Sequence, residues 1–503
     1  MSQGDVVECE SRGRASVDSG CTRVEEVTTN RRWVVLALLI ITITGCRPRA
    51  AWPAVDQVVS AVNAQRAHGA VAELASPTYA GRRTGTLGEA RAAAWIASQF
   101  KTIGLQEPPA YKDYLATYGA PLYVVSSFTG IKVSGTPGES FLGDRGMAVP
   151  YAGNGSIEAD AVLAGFGVQM AGYDEYAGLD VVGKVVILLR YSAPTRSVPE
   201  SQTYLATKVG VAAAHGAAGV VILDMPSAPN PFDMHGQVVS ALPDAPVSAL
   251  ASVAGARSLF WAAGLSFDDI AAQAWGGQIV SRDLKLKVSF GVTASWKADA
   301  TASNVAGVFP GTDNTRPIMV CAHFDHLGTD RSGMMYPGAD DDASGVAVML
   351  EVARSIASLD VVLPVSIWFV AFSGEEEGLL GSAAFVAAAP ELTQSLTAVL
   401  DLDMMRSTSG LGVAVDPSDQ AIMDAVSGAI RDGASLAVIP WTGGSDHETF
   451  SRLGVPSCMF AAHGREAPWY HSATDTAADL PAAELGTAAR DVLRVVWGLI
   501  GSS

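Results

Sequence analysis

The amino-acid sequence predicts an α/β protein with a mixed, mostly parallel central sheet flanked by helices, and a β-rich region inserted into it. Three observations carry this. After Ser303, short apolar runs alternate with helix-like segments. Strands are expected near 304–308, 317–322, 365–372, 397–402, 411–415 and 455–460. Helices are expected near 344–358, 380–388, 417–432, 446–453 and 482–499. Such alternation is how crossover connections between parallel strands read in a chain. Between about 125 and 290 the texture changes to short apolar runs broken by glycines and prolines. Finally, histidines and carboxylates gather directly after several predicted strands, where open α/β sheets place their ligands.

The length and balance of the chain narrow the classes of function. Its 503 residues suit two or three domains, and 49% apolar residues suffice for a large core. Lys+Arg is 33 and Asp+Glu is 51, a net charge of -18. That balance argues against nucleic acid or anionic lipid headgroups as partners. The cysteines, Cys9, Cys21, Cys46, Cys321 and Cys458, form no CxxC pair and no disulfide framework. Cys321 and Cys458 fall in strand-like apolar runs and read as buried thiols.

Taken in order, residues 1–46 read as an export signal. Arg31 and Arg32 precede an apolar run, Trp33 to Ile43, too short to span a bilayer comfortably, followed by Thr44-Gly45-Cys46. This ending resembles a bacterial lipoprotein box, which implies a lipid anchor at Cys46 and an exported protein of the cell envelope. The ordinary alternatives are an uncleaved anchor or an incidental apolar run. A short linker follows. The stretch 52–124 is expected to open the main domain, with helices over 54–74 and 89–103, the latter closed by Gly104, and a glycine-rich loop over 76–88. Residues 125–290 form the inserted domain, with strands expected at 181–189, 219–223, 245–249 and 284–292 and a helix at 203–215. Residues 291–503 complete the main domain.

The chemistry concentrates in that last part. The stretch 320–346, VCAHFDHLGTDRSGMMYPGADDDASGV, runs an apolar strand into His323, Phe324, Asp325 and His326, and ends on Asp340, Asp341 and Asp342 before a helix. Similar clusters follow at FSGEEEGLLGS (372–382), VLDLDMM (399–405), GGSDHETF (443–450) and WYHSATDT (469–476). Singly, each reads as a solvated loop. Together they supply what a hydrolytic two-metal site needs: nitrogen and oxygen donors, a carboxylate to bridge the ions, and one more carboxylate as general base. The inventory is His323, the aspartate and glutamate triplets, Asp401 or Asp403, and His471.

In these motifs, HxD, GADDDASGVA, EEEGLLGS, LDxD and YHSATDT in that order, the chain resembles the co-catalytic di-zinc aminopeptidase family, related to bacterial leucyl aminopeptidase and glutamate carboxypeptidase. The resemblance covers about 55–120 and 295–500 and implies the zinc-exopeptidase, phosphorylase/hydrolase-like fold. It also implies two Zn2+ per chain and peptide substrates cleaved by a metal-bridged water that Glu375 activates, most simply with release of N-terminal amino acids. In this alignment His323, Asp341, Glu376, Asp403 and His471 are the metal ligands, with Asp341 as the bridge. Asp325 orients His323, Asp340 and Asp342 are structural or solvated, and Glu377 falls outside the site. The alternatives are a glutaminyl cyclase-like acyltransferase on the same scaffold, a carboxypeptidase-type member, and a non-catalytic binding module. The insert resembles a protease-associated (PA) domain in FGVQMAGYDEYAGLDVVGKVVILLR and AAAHGAAGVVILD.

Other polar residues are expected to play lesser parts. His326 is read as capping its loop rather than as a ligand. Asp446 and His447 are read as packing or hydrogen-bonding beside the site. Tyr470 either donates to a reaction intermediate or walls the pocket. Arg406 is read as holding a backbone carbonyl, with a substrate carboxylate as the alternative. Trp441-Thr442-Gly443-Gly444 departs from the tyrosine and disulfide that some relatives carry before the SDH segment. His68, His215 and His235 are expected to be ordinary surface or core residues.

Overall fold

A computed structural model describes residues 52–501, apart from 136–138, 143–146, 227–244, 331–332, 360, 407–408, 441–443 and 463–466. The predicted leader with Cys46, and Trp441 to Gly443, lie outside the described residues. From Ala51 onward the chain forms one compact unit.

The metal-type motifs ride on an 8-stranded sheet. Its spatial order is Leu115–Gly119, Thr301–Phe309, Leu363–Phe372, Gly311–His323, Ala398–Leu402, Ser457–Ala462, Leu411–Val415, Leu436–Ile439. The four strands from Leu363–Phe372 to Ser457–Ala462 pair in parallel, and antiparallel strands flank them. The central strands are apolar on both faces because helices cover both sides. Gly311–His323 shows the consequence, being buried continuously from Pro317 to His323. Register places His323 opposite Phe372 and Cys321 opposite Asp401, so neighbouring strands end at the same level. The loops after them therefore open on one crevice.

Two strands of this sheet and one helix escaped the sequence reading. Leu115–Gly119 and Leu436–Ile439 are edge strands, short and only half-buried, so they carry little hydrophobic pattern. Pro390–Ser395 is a single turn or so of helix.

Helices seal both faces of the sheet. Leu87–Ile103 starts at Thr86, whose hydroxyl accepts from Glu89 N at 3.5 Å, and stops at Gly104 with φ 92. Gly345–Ala357 is almost wholly buried. Its one internal acid, Glu351, is fully buried and matched by Arg66 Nε at 2.8 Å and Asn63 N at 2.6 Å. Without those partners such a charge would be strongly destabilising. Gly345 is required by space: a Cβ there would lie 2.1 Å from Leu402 O. This lets the helix start press against the strand end that precedes Asp403.

The inserted region builds a 9-stranded sheet of its own. It begins at Leu122–Phe128 and closes with Arg282–Lys297, so it extends beyond 125–290 at both ends. The sequence signal for the last strand stopped at 292 because its final residues are exposed and lose the apolar alternation. Gly155–Leu163, Val185–Leu189, Gly219–Leu223 and Val247–Ala251 pair in parallel, with helices Leu205–Ala214, Val253–Ala262 and Phe267–Trp275 around them. The entry and exit strands of the first sheet run antiparallel, Gly119 opposite Thr301. Among the described residues no helix is long and apolar enough to cross a membrane.

Candidate metal centre

The crevice at the strand ends gathers the predicted donors. His323 ends its strand, and its Nε2 lies 3.2 Å from Asp341 Oδ1 and 3.7 Å from Asp403 Oδ1. His471 Nε2 lies 3.2 Å from Asp341 Oδ2 and 3.1 Å from Glu376 Oε2. One carboxylate, Asp341, thus stands between two imidazoles. Asp403, not Asp401, faces the centre. Asp401 lies buried on the other side of its strand, accepting from the backbone N of His447 at 3.0 Å and standing 3.1 Å from its Nδ1.

His326 comes closer to the centre than the sequence suggested. Its Nδ1 is 2.8 Å from Glu376 Oε1 and 3.9 Å from Asp341 Oδ2. Two ligand sets of the right size result, His323-Asp341-Asp403 and His326-Asp341-Glu376. His471 reaches the same two carboxylates, and its distance to Asp341 is the shorter. Both imidazoles therefore reach the Asp341 and Glu376 pair, His326 through Glu376 Oε1 and His471 through Glu376 Oε2.

Asp325 differs from expectation. Its Oδ1 stands 3.7 Å from His323 Nδ1, beyond hydrogen-bond range. Its oxygens are already engaged by Thr84 Oγ1 at 2.8 Å and by the amides of Glu375 at 3.2 Å and Glu376 at 3.3 Å. It orders the glutamate turn more directly than it orders the imidazole.

The other acids of the triplets are buried and structural. Asp340 accepts from Trp469 Nε1 and from the Arg406 amide, both at 2.9 Å, and burial with Asp475 nearby pushes its carboxyl up to about 7. Asp342 accepts from Gly345 N at 2.8 Å and Met404 N at 3.1 Å. Glu377 turns away and pairs with Arg83 at 3.1 Å. Arg83 also donates to the carbonyl of Tyr123 at 3.3 Å, a contact with the inserted sheet. Tyr470 is 40% exposed with its ring stacked 3.8 Å from that of His471, leaving both of its predicted uses open. His68 bonds Ala477 O at 3.1 Å and His215 stacks on Tyr176, so neither belongs to the centre. His235 lies outside the described residues.

Three residues of the centre's support were not singled out from sequence. Arg82 is fully buried and donates to the carbonyls of Phe324 and Pro337 at 2.7 Å and of Leu74 and Gly338 at 2.8 Å. It clamps the His323 loop to the Asp341 loop. Thr84 holds Asp325, as above. Asp475 accepts the amides of Asp340 at 2.8 Å and Asp341 at 3.1 Å. The only signal for these was their place in a glycine-rich loop and in the last motif.

Electrostatically the centre is a sink for positive charge. Burial pushes Glu375 well above the usual carboxylate range; His323 opposes this, while Glu376, Asp403 and Asp446 add to it. Burial would depress His323 and His471, yet the surrounding carboxylates raise both well above 6.5. Asp341 Oδ2 and His326 Nε2 are buried without a hydrogen-bond partner among the described residues. Converging carboxylates and imidazoles with an unsatisfied oxygen are what a cation held by nitrogen and oxygen donors requires, and the donor types suit zinc.

Fold and site together define a mixed α/β scaffold with a carboxylate–imidazole cluster, able to hold a metal, at the strand ends. Residues 304–496 match the family model of Peptidase family M28. Aminopeptidase YwaD of Bacillus subtilis (strain 168) is 29% identical over 195 residues, 35% of this chain and 40% of that protein. A probable leucine aminopeptidase of Arthroderma benhamiae is 27% identical over 216 residues, 40% of this chain and 59% of that protein. The matched stretch thus spans less than two thirds of these relatives' length. The solved aminopeptidase from Aneurinibacillus sp. strain AM-1 superposes with a TM-score of 0.65 at 24% identity, covering 88% of this chain and 95% of that one. BSAP, a zinc aminopeptidase from Bacillus subtilis, gives 0.58 at 21%, covering 87% and 94%. These two likenesses establish the fold, insert included.

Proposed function

We propose that the chain is a zinc-dependent exopeptidase that releases N-terminal amino acids from peptides. The observation that carries this is the Asp341 carboxylate, one oxygen 3.2 Å from His323 and the other 3.2 Å from His471, the disposition of a bridge between two ions. His323, Asp341 and Asp403 would hold one zinc, and Asp341, Glu376 and His471 the other, two per chain. When bound, the zinc ions supply Lewis acidity toward a peptide carbonyl and lower the pKa of a water. Glu375 accepts the proton of that attacking water and returns it to the leaving amine; its raised proton affinity suits both tasks. Asp325 holds the Glu375 and Glu376 amides, so the base and its neighbouring ligand keep one orientation. The two curated relatives named above are aminopeptidases, which supports the N-terminal direction.

The test is zinc content together with hydrolysis of aminoacyl chromogenic substrates, with free and blocked amino termini. Two zincs per chain and cleavage only of free-amine substrates are expected. Metal-free protein at neutral pH, or cleavage that ignores the amine, overturns the reading.

We infer further that the insert is a protease-associated domain, supported by its two resembling segments, and that Cys46 anchors an exported chain in the cell envelope. Fatty-acid labelling decides the latter: label on the wild type and none on Cys46→Ser is expected, and equal labelling of both removes the anchor.

A further inference from the structure

The loop after Asp403 carries a cation that no carboxylate among the described residues pairs with. Arg406 donates its backbone N–H to Asp340 Oδ1 at 2.9 Å, and its guanidinium carbon lies 4.0 Å from the centre of the Trp469 ring. Trp469 donates Nε1–H to the other Asp340 oxygen at 2.9 Å. A single buried carboxylate thus ties the arginine's loop to the indole under it. The loop starts three residues after Asp403, and the indole stands two residues before His471, so both are braced against the metal centre. The Arg406 Nε is buried with no hydrogen-bond partner among the described residues. The residue as a whole is half-buried, so the fork keeps an open edge.

A guanidinium held over an indole gives up little further freedom when it binds, and its fork matches a carboxylate with two parallel hydrogen bonds. An unpaired buried N–H is unfavourable, and an incoming anion relieves it. The surroundings also matter. The centre is crowded with acids, and Arg406, three residues beyond Asp403 and half-buried, offers a cation able to draw a negatively charged part of a substrate into register.

Resting on the exopeptidase reading, we propose that Arg406 is a specificity-determining residue that recognises a carboxylate of the bound peptide. Both a free C-terminus on a short peptide and an acidic side chain beyond the scissile bond offer that chemistry.

The test compares Leu-Ala, Leu-Ala-amide and Leu-Asp-amide on wild type, Arg406→Gln and Arg406→Lys. The wild type should prefer a carboxylate-bearing peptide over Leu-Ala-amide. In Arg406→Gln that kcat/KM ratio should fall roughly 10- to 100-fold, mainly through KM, the loss expected for a charge-assisted pair. Arg406→Lys should keep part of the preference. Each ratio is taken within one variant, so losses in folding or zinc loading cancel. Preference for Leu-Ala assigns the C-terminal carboxylate, and preference for Leu-Asp-amide the side chain. Calorimetric affinities of the same peptides for Glu375→Gln, with and without Arg406→Gln, give the ratio without turnover. Ratios that are the same with and without Arg406 overturn the proposal. Failure of the wild type to cleave any of the three overturns the exopeptidase reading, and the calorimetric ratio then decides Arg406 alone.

Discussion

His326 Nδ1 stands 2.8 Å from Glu376 Oε1, which leaves the other oxygen of that glutamate facing His471 at 3.1 Å. The contact selects which oxygen of Glu376 turns toward the centre. His326→Ala should therefore weaken zinc binding by roughly 10- to 100-fold, the usual cost of losing a residue that orients a ligand. Competition with a chelator measures it, with His471→Ala as the reference for a larger loss. A His326→Ala loss equal to that of His471→Ala makes His326 a ligand in its own right; wild-type affinity removes it from the site.

Glu375 has no ligand role in this arrangement, so its removal separates binding from chemistry. Glu375→Gln should retain zinc and lose about 10²- to 10⁴-fold in kcat, the range for a general base. Zinc content by atomic absorption and turnover of an aminoacyl substrate check this. Turnover near wild type would be fatal to the assignment.

The Arg82 clamp predicts a stability effect rather than a catalytic one. Arg82→Leu leaves four buried carbonyls without their donor. An unsatisfied buried acceptor costs about 1–3 kcal/mol, and partial relaxation brings the sum to roughly 4 kcal/mol. A lower urea midpoint with unchanged slope is the expected result. A midpoint within error of wild type contradicts the clamp.

Glu89 gives stability a pH dependence. Burial pushes its carboxyl up to about 7 from an ordinary 4.5, against the lowering effect of the Ser303 amide. The native state holds a proton that the unfolded chain releases between these values. The resulting stability is full below about 4.5 and is lost as pH rises through about 7. Glu89→Gln keeps the acceptor for Ser303 N and removes the titration. Relative to wild type it should gain at most about 3 kcal/mol at pH 8 and little at pH 4.5. Parallel thermal melts at the two pH values read this directly, and a gain that is the same at both contradicts it.

What could be read from the chain and what could not follows a physical line. The choice of His323, Asp341, Glu376, Asp403 and His471 came from the family resemblance, not from spacing; the clusters that hold His323, Glu376, Asp403 and His471 are visible because polar runs follow apolar ones, and apolar runs mark strands. The mixed sheet, the helices around it and the existence of the insert were readable for the same reason. Arg82 and Asp475 act through backbone groups of segments distant in sequence, and such partnerships have no local pattern. Asp325 was assigned to His323 by the resemblance; it stands 3.7 Å from that imidazole, while Thr84 and two amides, distant in sequence, engage its oxygens. His326 was read as capping its loop because the residue after such an aspartate more often does so; here it is buried against Glu376. The edge strands Leu115–Gly119 and Leu436–Ile439 lacked the burial that writes periodicity into a sequence.

Gly119 lies opposite Thr301, and Ala120 N donates to Ala300 O at 2.9 Å, just where the chain departs for its second sheet and comes back from it. Paired antiparallel strands put those two points about 5 Å apart, a gap that a two-residue turn closes. The insert is therefore a cassette. Exchanging or deleting it leaves every strand of the eight-stranded sheet in its original order, so one frame can be fitted, in evolution or at the bench, with different outer modules.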